Sequence, residues 1–232
     1  MRVLVTAGPT REFIDPVRFL SNPSTGRMGF AIARAARAAG HDVTLVAGPV
    51  ALRTPNGVRR IDVISARDML AAVERERFDC FIATAAVADW RPARMSGRKL
   101  KKREMSGVLK LTRNPDILKA VSSRLRKRTG AASPVLVGFA AETGDPTAEA
   151  VRKCREKRLD FVVANDVTAA DSGFGTLTNR VSFVWPDGTV ERLPAMSKAA
   201  VARRIIRAIG ALRRGFPPAI GPCPRAIQHG SN

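Results

Sequence analysis

The sequence predicts an α/β protein, a Rossmann-like and mostly parallel sheet flanked by helices, with a basic excursion after Asp89. Short β-branched apolar runs alternate with longer helical patterns over residues 1–212, as expected of a parallel sheet with both faces covered. The helical stretches carry start and stop residues at their ends. A chain of 232 residues, 45% hydrophobic and 26% charged, is large enough to bury one core or at most two small ones.

The candidate strands, in order, are Arg2 to Thr6, Asp42 to Ala47, Val58 to Val63, Asp79 to Thr84, Val135 to Phe139 and Phe161 to Ala164. Arg180 to Val184 follows as an antiparallel addition. Helices are predicted at about 28–39, 66–77, 115–128, 146–158 and 197–212. Gly40 stands where a helix-ending glycine belongs, and Ser65 with Asp68 makes a capping box. Asn114 reads as an N-cap, with Pro115 at the first helical position. The stretch 88–113, rich in Arg, Lys, Gly and Ser, breaks the alternation and reads as a functional loop or excursion. Residues 213–232 hold four prolines and three glycines with little apolar content, so a flexible tail is expected after a single domain over 1–212.

Forty Lys and Arg against 20 Asp and Glu give a net charge of +20, a field that attracts polyanions of any kind. Much of the excess is arginine scattered through alanine-rich helices, as in Ala31-Ile32-Ala33-Arg34-Ala35-Ala36-Arg37, rather than gathered on one face. The three cysteines, Cys80, Cys154 and Cys223, show no paired spacing, which argues against a disulfide framework or a thiolate metal site and for a reducing compartment. The presence of only His41 and His229 argues against histidine-rich zinc sites and Ser-His-Asp chemistry. No apolar run approaches the roughly 18 residues of a membrane span, and Met1-Arg2-Val3-Leu4-Val5 leads directly into a strand pattern. A cytoplasmic protein without membrane contact is expected.

After the first strand the chain lacks the Gly-x-Gly-x-x-Gly of a dinucleotide fold. It has instead Ser21-Asn22-Pro23-Ser24-Thr25-Gly26-Arg27-Met28-Gly29 opening a helix, where backbone N–H groups and the dipole favour an anion such as a phosphate. The plainer reading is that Gly26 and Gly29 permit a tight turn. Thr84-Ala85-Ala86-Val87-Ala88-Asp89-Trp90-Arg91-Pro92 follows an apolar strand, and ligands in open α/β sheets bind beyond such carboxyl ends. Small residues there admit a flat base, and Asp89 suits a ribose, a base amino group, a hydrated magnesium ion or the cap of a turn. Arg98-Lys99-Leu100-Lys101-Lys102-Arg103 places five cations in six residues, fit for solvent, nucleic acid or a compact triphosphate. Lys153 and Lys157 stand one helical turn apart, where like charges repel unless an anion lies between them.

Taken in order, eight blocks resemble the bacterial phosphopantothenate-cysteine ligase family over residues 1–212. They are Gly8-Pro9-Thr10-Arg11-Glu12, Asp15-Pro16-Val17-Arg18, Asn22 through Gly29, Ala85 through Asp89, Lys99-Leu100-Lys101-Lys102, Asn114-Pro115-Asp116-Ile117, Val137 through Thr143, and Ala164-Asn165-Asp166-Val167. Many bacterial members are fused behind a flavin-dependent decarboxylase, so a stand-alone form or an excised domain is expected here. Trp90, where the family commonly has tyrosine, is a mild departure.

The resemblance implies a ligase of coenzyme A biosynthesis that joins 4'-phosphopantothenate to L-cysteine, with CTP as co-substrate and Mg2+ as cofactor. The carboxylate attacks the α-phosphorus to give an acyl-cytidylate and pyrophosphate; the cysteine amine then attacks the acyl carbon and releases CMP. By matching position, Ala83, Thr84, Ala85, Asp89, Lys99, Asn114, Pro115, Asp116, Ile117, Phe139, Lys153 and Lys157 would surround CTP. Asn22 would act at the acyl centre, with Arg18 a companion for the substrate phosphate or carboxylate. The magnesium ligands stay unassigned. A homodimer is implied, with the excursion after Asp89 at the contact. Two other readings compete: a nucleic-acid-binding protein using 98–103 and Arg124 to Arg128, and an NAD(P)-linked reductase. The first lacks interleaved aromatics, at 5% with no Tyr, and no specific nucleic acid is expected. The second lacks both the glycine fingerprint and a Tyr-x-x-x-Lys pair.

Overall fold

The structure, a computed structural model, describes residues 1–104, 107–125, 133–166 and 178–215. The expected tail beyond 215, and Arg126 to Arg128 of the second basic cluster, lie outside the described residues. In chain order the elements are β1 (Arg2–Ala7), β2 (Arg11–Phe13), β3 (Phe19–Ser21), α1 (Arg27–Ala38), β4 (Asp42–Ala47), β5 (Arg59–Asp62), α2 (Ala66–Arg75), β6 (Cys80–Ala83) and β7 (Trp90–Pro92). A 3-10 turn at Lys102–Glu104 precedes β8 (Leu111–Arg113), α3 (Ile117–Leu125), β9 (Val135–Glu142), α4 (Thr147–Glu156) and β10 (Phe161–Asp166). The chain continues through β11 (Thr178–Asn179), β12 (Val181–Val184), β13 (Val190–Arg192), β14 (Met196–Ser197) and α5 (Lys198–Arg213).

One eight-stranded sheet runs β13-β12-β10-β9-β6-β1-β4-β5. Its six strands from β10 to β5 are parallel; β12 and β13 extend it antiparallel beyond β10, as expected for the 180–184 segment. Period-two alternation splits the core into two layers. On β1, Val3, Val5 and Ala7 point to a cluster with Phe30, Ile32, Ile205 and Ile209 of α1 and α5, while Leu4 points to one with Met69, Val73, Leu118 and Val121 of α2 and α3. Among the described residues no helix is long and apolar enough to cross a membrane.

The helix ends show how local chemistry sets the boundaries. Ser65 and Asp68 form the capping box on α2, and Gly40, at φ +80°, closes α1. After α4 the chain turns at Arg158, which holds φ +51° while Leu159 N donates to Cys154 O at 2.8 Å. The Asn114 cap is corrected: α3 begins at Ile117, and the Asp116 carboxylate accepts from Lys119 N at 2.9 Å in the capping role. Asn114 is drawn away by tertiary partners described below, so Pro115 stands outside the helix. The expected excursion over 88–113 contains a small antiparallel pair, β7 with β8, and Asp15 to Arg18 turns the β2–β3 hairpin. Cys80 and Cys154 are buried free thiols; burial pushes the Cys154 thiol up to about 12 and the Cys80 thiol in the same direction.

The first turn after β1 is wedged against the end of β4. Gly48 N donates to Ala7 O at 2.9 Å, and a Cβ on Gly48 would stand 1.7 Å from the Pro9 carbonyl oxygen. That oxygen belongs to the backbone and has nowhere to go. Gly48→Ala is therefore expected to destabilise the protein by on the order of 3 kcal/mol, read from urea unfolding. A midpoint equal to wild type would show that the turn is not held there.

Candidate active site

The strand order places β4 and β5 on one side of β1, with β6, β9 and β10 on the other, so the crevice between β1 and β6 is the switch point where α/β ligands bind. The pairing of these two strands continues past their ends. Ala86 N donates to Gly8 O at 2.9 Å, and Ala88 N to the Thr10 Oγ1 at 3.0 Å. Ala85 N meets the Thr6 Oγ1 at 3.4 Å. Both threonines are buried, and their hydroxyls satisfy amides that the departing backbone no longer pairs.

A cavity of 240 Å³ opens on one side of this seam. Its walls are Ala83 and Ala85 to Asp89 after β6, Asn114 to Ile117 entering α3, Phe139 on β9, and Lys153 and Lys157 at the end of α4. Asn114 fastens the wall: its N donates to Asp89 O and its Nδ2 to Ala88 O, both at 2.8 Å, while its Oδ1 accepts from Arg91 Nη1 at 3.2 Å. Lys157 Nζ meets Asp116 Oδ2 at 2.6 Å, and Lys153 Nζ meets Glu142 Oε1 at 3.8 Å. Each lysine thus has one carboxylate, and both pairs are partly hydrated and weak enough for a more highly charged anion to displace.

A second cavity, of 130 Å³, lies across a wall made by Ala85, Ala86 and Phe139, which line both. Ser24 to Gly29 at the start of α1 face it, together with Thr84, Asn165, Asn179 and Lys198. Gly26 caps α1 at φ +75° with no side-chain cap, so the amino end of the helix is presented to the cavity by backbone. Lys198 is buried, and its Nζ donates to Asn179 Oδ1 at 3.0 Å. Burial, reinforced by nearby Arg27, lowers its pKa.

The remaining candidates lie around these cavities. Asn22 Nδ2 donates to Ala86 O at 3.0 Å, setting its amide against the shared wall. Arg18 lines neither cavity; its Nη2 donates to Asp15 Oδ2 at 2.6 Å and to Leu100 O at 2.8 Å. Lys99 is exposed and also lines neither cavity. Sequence reasoning passed over Asn179 and Lys198, whose only local signal is that Lys198 follows Ser197, the N-cap of α5. Among the described residues no three His, Cys, Asp or Glu side chains gather as a metal cage. An exposed carboxylate on the cavity rim, Asp89, nevertheless fits magnesium, which is held by one or two carboxylates together with substrate phosphates.

Comparison with known proteins gives consistent matches. The model of the DNA/pantothenate metabolism flavoprotein C-terminal domain matches residues 1–212. The coenzyme A biosynthesis bifunctional protein CoaBC of Vibrio vulnificus (strain YJ016) is 47% identical over 214 residues, covering 90% of this chain and 52% of that protein. Its counterpart from Bacillus subtilis (strain 168) is 46% identical over 215 residues, covering 91% and 52%. The chain spans about half the length of the curated relatives it matches. A crystal structure of the C-terminal domain of coenzyme A biosynthesis bifunctional protein CoaBC superposes with a TM-score of 0.76 at 41% identity, over 92% of this chain and 96% of that one.

Thr10 offers a direct test of the seam. Thr10→Val keeps the shape but leaves Ala88 N–H without its acceptor, an expected loss of about 1–3 kcal/mol that Thr10→Ser should largely restore. Thermal unfolding of the three proteins checks this, and equal stability of all three would remove Thr10 from the seam.

Proposed function

Because the chain belongs to the family of the DNA/pantothenate metabolism flavoprotein C-terminal domain, we propose that it is a ligase of coenzyme A biosynthesis that joins 4'-phosphopantothenate to L-cysteine with CTP as co-substrate. The observation that carries this reading is the cavity at the switch point. There, three chain segments with two lysines form a site of alanine walls, one aromatic side chain and paired cations that suits a nucleoside carrying phosphates.

In this reading the small backbone of Ala85 to Ala88 and the Phe139 ring hold the nucleoside, while Lys153 and Lys157 exchange Glu142 and Asp116 for its phosphates. The amino end of α1, with Lys198 behind it, faces the phosphates that leave. The carboxylate oxygen of phosphopantothenate attacks the α-phosphorus, the bond to pyrophosphate breaks, and an acyl-cytidylate forms. The cysteine amine then attacks the acyl carbon; the acyl–phosphate bond breaks, CMP departs and the amine loses a proton. Asn22, beside the shared wall, donates its amide N–H to the acyl oxygen as charge gathers there. Magnesium bound at Asp89 would neutralise phosphate charge. No observation at the site favours nucleic acid.

We also assign a homodimer to this chain. Val17 and Phe19 on the β2–β3 hairpin, and Met95, Val108, Leu109 and Leu111 on the excursion joined to it by the Ser96 N to Ile14 O bond, are large exposed apolar side chains. A patch of this kind marks an association surface, and Leu111→Asp is expected to shift the protein from dimer to monomer in light scattering. A wild type that is already monomeric would refute the assignment.

Pyrophosphate release should require phosphopantothenate together with a nucleotide, and CTP, ATP and UTP tried separately define the preference. Asn22→Ala is expected to lose roughly 10²-fold or more in turnover while CTP affinity stays within a few-fold. Turnover near wild type would remove Asn22 from the acyl centre. Lys153→Gln and Lys157→Gln should each raise the KM for CTP more than that for cysteine, since cysteine enters after the triphosphate has reacted. Equal effects on both would leave these lysines as parts of a solvated helix end.

A further inference from the structure

The β2–β3 turn and the basic excursion are joined at a buried carboxylate, Asp15, which reaches Leu100, 85 residues away in sequence. Asp15 is fully buried. Its Oδ1 accepts from Val17 N and Arg18 N, both at 2.9 Å, which shapes the turn. Its Oδ2 accepts from Arg18 Nε at 3.0 Å, from Arg18 Nη2 at 2.6 Å and from Leu100 N at 3.2 Å. Arg18 Nη2 also donates to Leu100 O at 2.8 Å, so both peptide groups of Leu100 are gripped, one by the acid and one by its arginine. Ser96 N adds a bond to Ile14 O at 2.9 Å.

Leu100 lies inside the run Arg98 to Arg103, between Lys99 and Lys101. A run of five cations in six residues on a chain of +20 is pushed away from the body by the rest of the protein's charge. The buried carboxylate supplies an opposing attraction at Leu100, in the middle of the run. The other root of the excursion is at the nucleotide cavity, where Asn114 holds Asp89 and Ala88. With one end fixed at the cavity wall and the run fixed at Leu100, the excursion has a defined position relative to that wall.

We propose that Asp15 is a positioning residue for the ligase reaction, holding the basic run through Leu100 so that its lysines are presented to the nucleotide. This rests on the ligase reading above. Arg18, which that reading expected at the substrate, is on this view also the second half of the latch.

Two variants break the latch from opposite sides, Asp15→Asn and Arg18→Gln, and either suffices if the other fails to fold. Trypsin cleavage of the folded protein after Lys99, Lys101 and Lys102, followed by mass spectrometry, reports whether the run is held. It is expected to quicken about tenfold, the effect of losing one charge-assisted hydrogen bond, while other sites are cut at the wild-type rate. The KM for CTP should rise by a similar factor with the KM for cysteine within about twofold. Cleavage at the wild-type rate would overturn the latch. Faster cleavage with both KM values moving together would reduce Asp15 to a fold-keeping residue and overturn its positioning role. A wild type whose melting temperature ignores CTP would sink the ligase reading, whereas CTP protection equal in wild type and variants would sink the latch alone.

Discussion

The pairing of β1 with β6, carried beyond both strands by two buried threonines, is the constraint on which the rest of the molecule depends. Where parallel strands end, their backbones normally part and hand their amides to water. Here the hydroxyls of Thr6 and Thr10 and the carbonyl of Gly8 keep residues 85 to 88 against residues 6 to 10. That seam fixes the alanine wall to which Asn22 binds, brings Asn114 and α3 close through Ala88 and Asp89, and sets the first turn against Gly48. A slip in it would displace parts of both cavities together.

A chain this basic uses its few acids at particular points. Glu12, buried beside the first turn, accepts from Ala66 N at 2.9 Å, so α2 is capped by a side chain 54 residues away as well as by its own Ser65. Asp15 restrains the basic run, and Asp116 and Glu142 hold the two lysines at the cavity. Each anion lies where a helix end or a cluster of cations would otherwise be uncompensated.

Much of this was legible in the sequence, for identifiable reasons. The six parallel strands β1, β4, β5, β6, β9 and β10 announced themselves by β-branched runs, and the caps at Ser65 and Gly40 were local chemistry. The segment after β6 was marked as a binding wall because position at a strand's carboxyl end is a topological property. Asn114 was misread because Asn-Pro carries the local signature of a cap, while the bonds that claim its side chain come from Ala88 and Arg91, visible only after folding. The three-residue strands β2, β3, β7 and β8 are too short to show a period. Beyond its place after the Ser197 cap, Lys198 gave no sign in one dimension, since its partner Asn179 is on β11, 19 residues earlier. Arg18 and Lys99 were singled out by type, yet neither is among the residues that line the two cavities.

The wall of Ala85, Ala86 and Phe139 faces a cavity on each side. A larger side chain on it would intrude into both chambers, and a backbone shift that widened one would narrow the other. Neither compartment can be retuned alone, so a change in what one chamber accepts would carry a penalty in the other. The alanines are in that sense a joint tenancy, and changes of specificity in such a molecule should arise at the outer walls, on the α3 and α4 side or along the loop before α1, rather than at the partition.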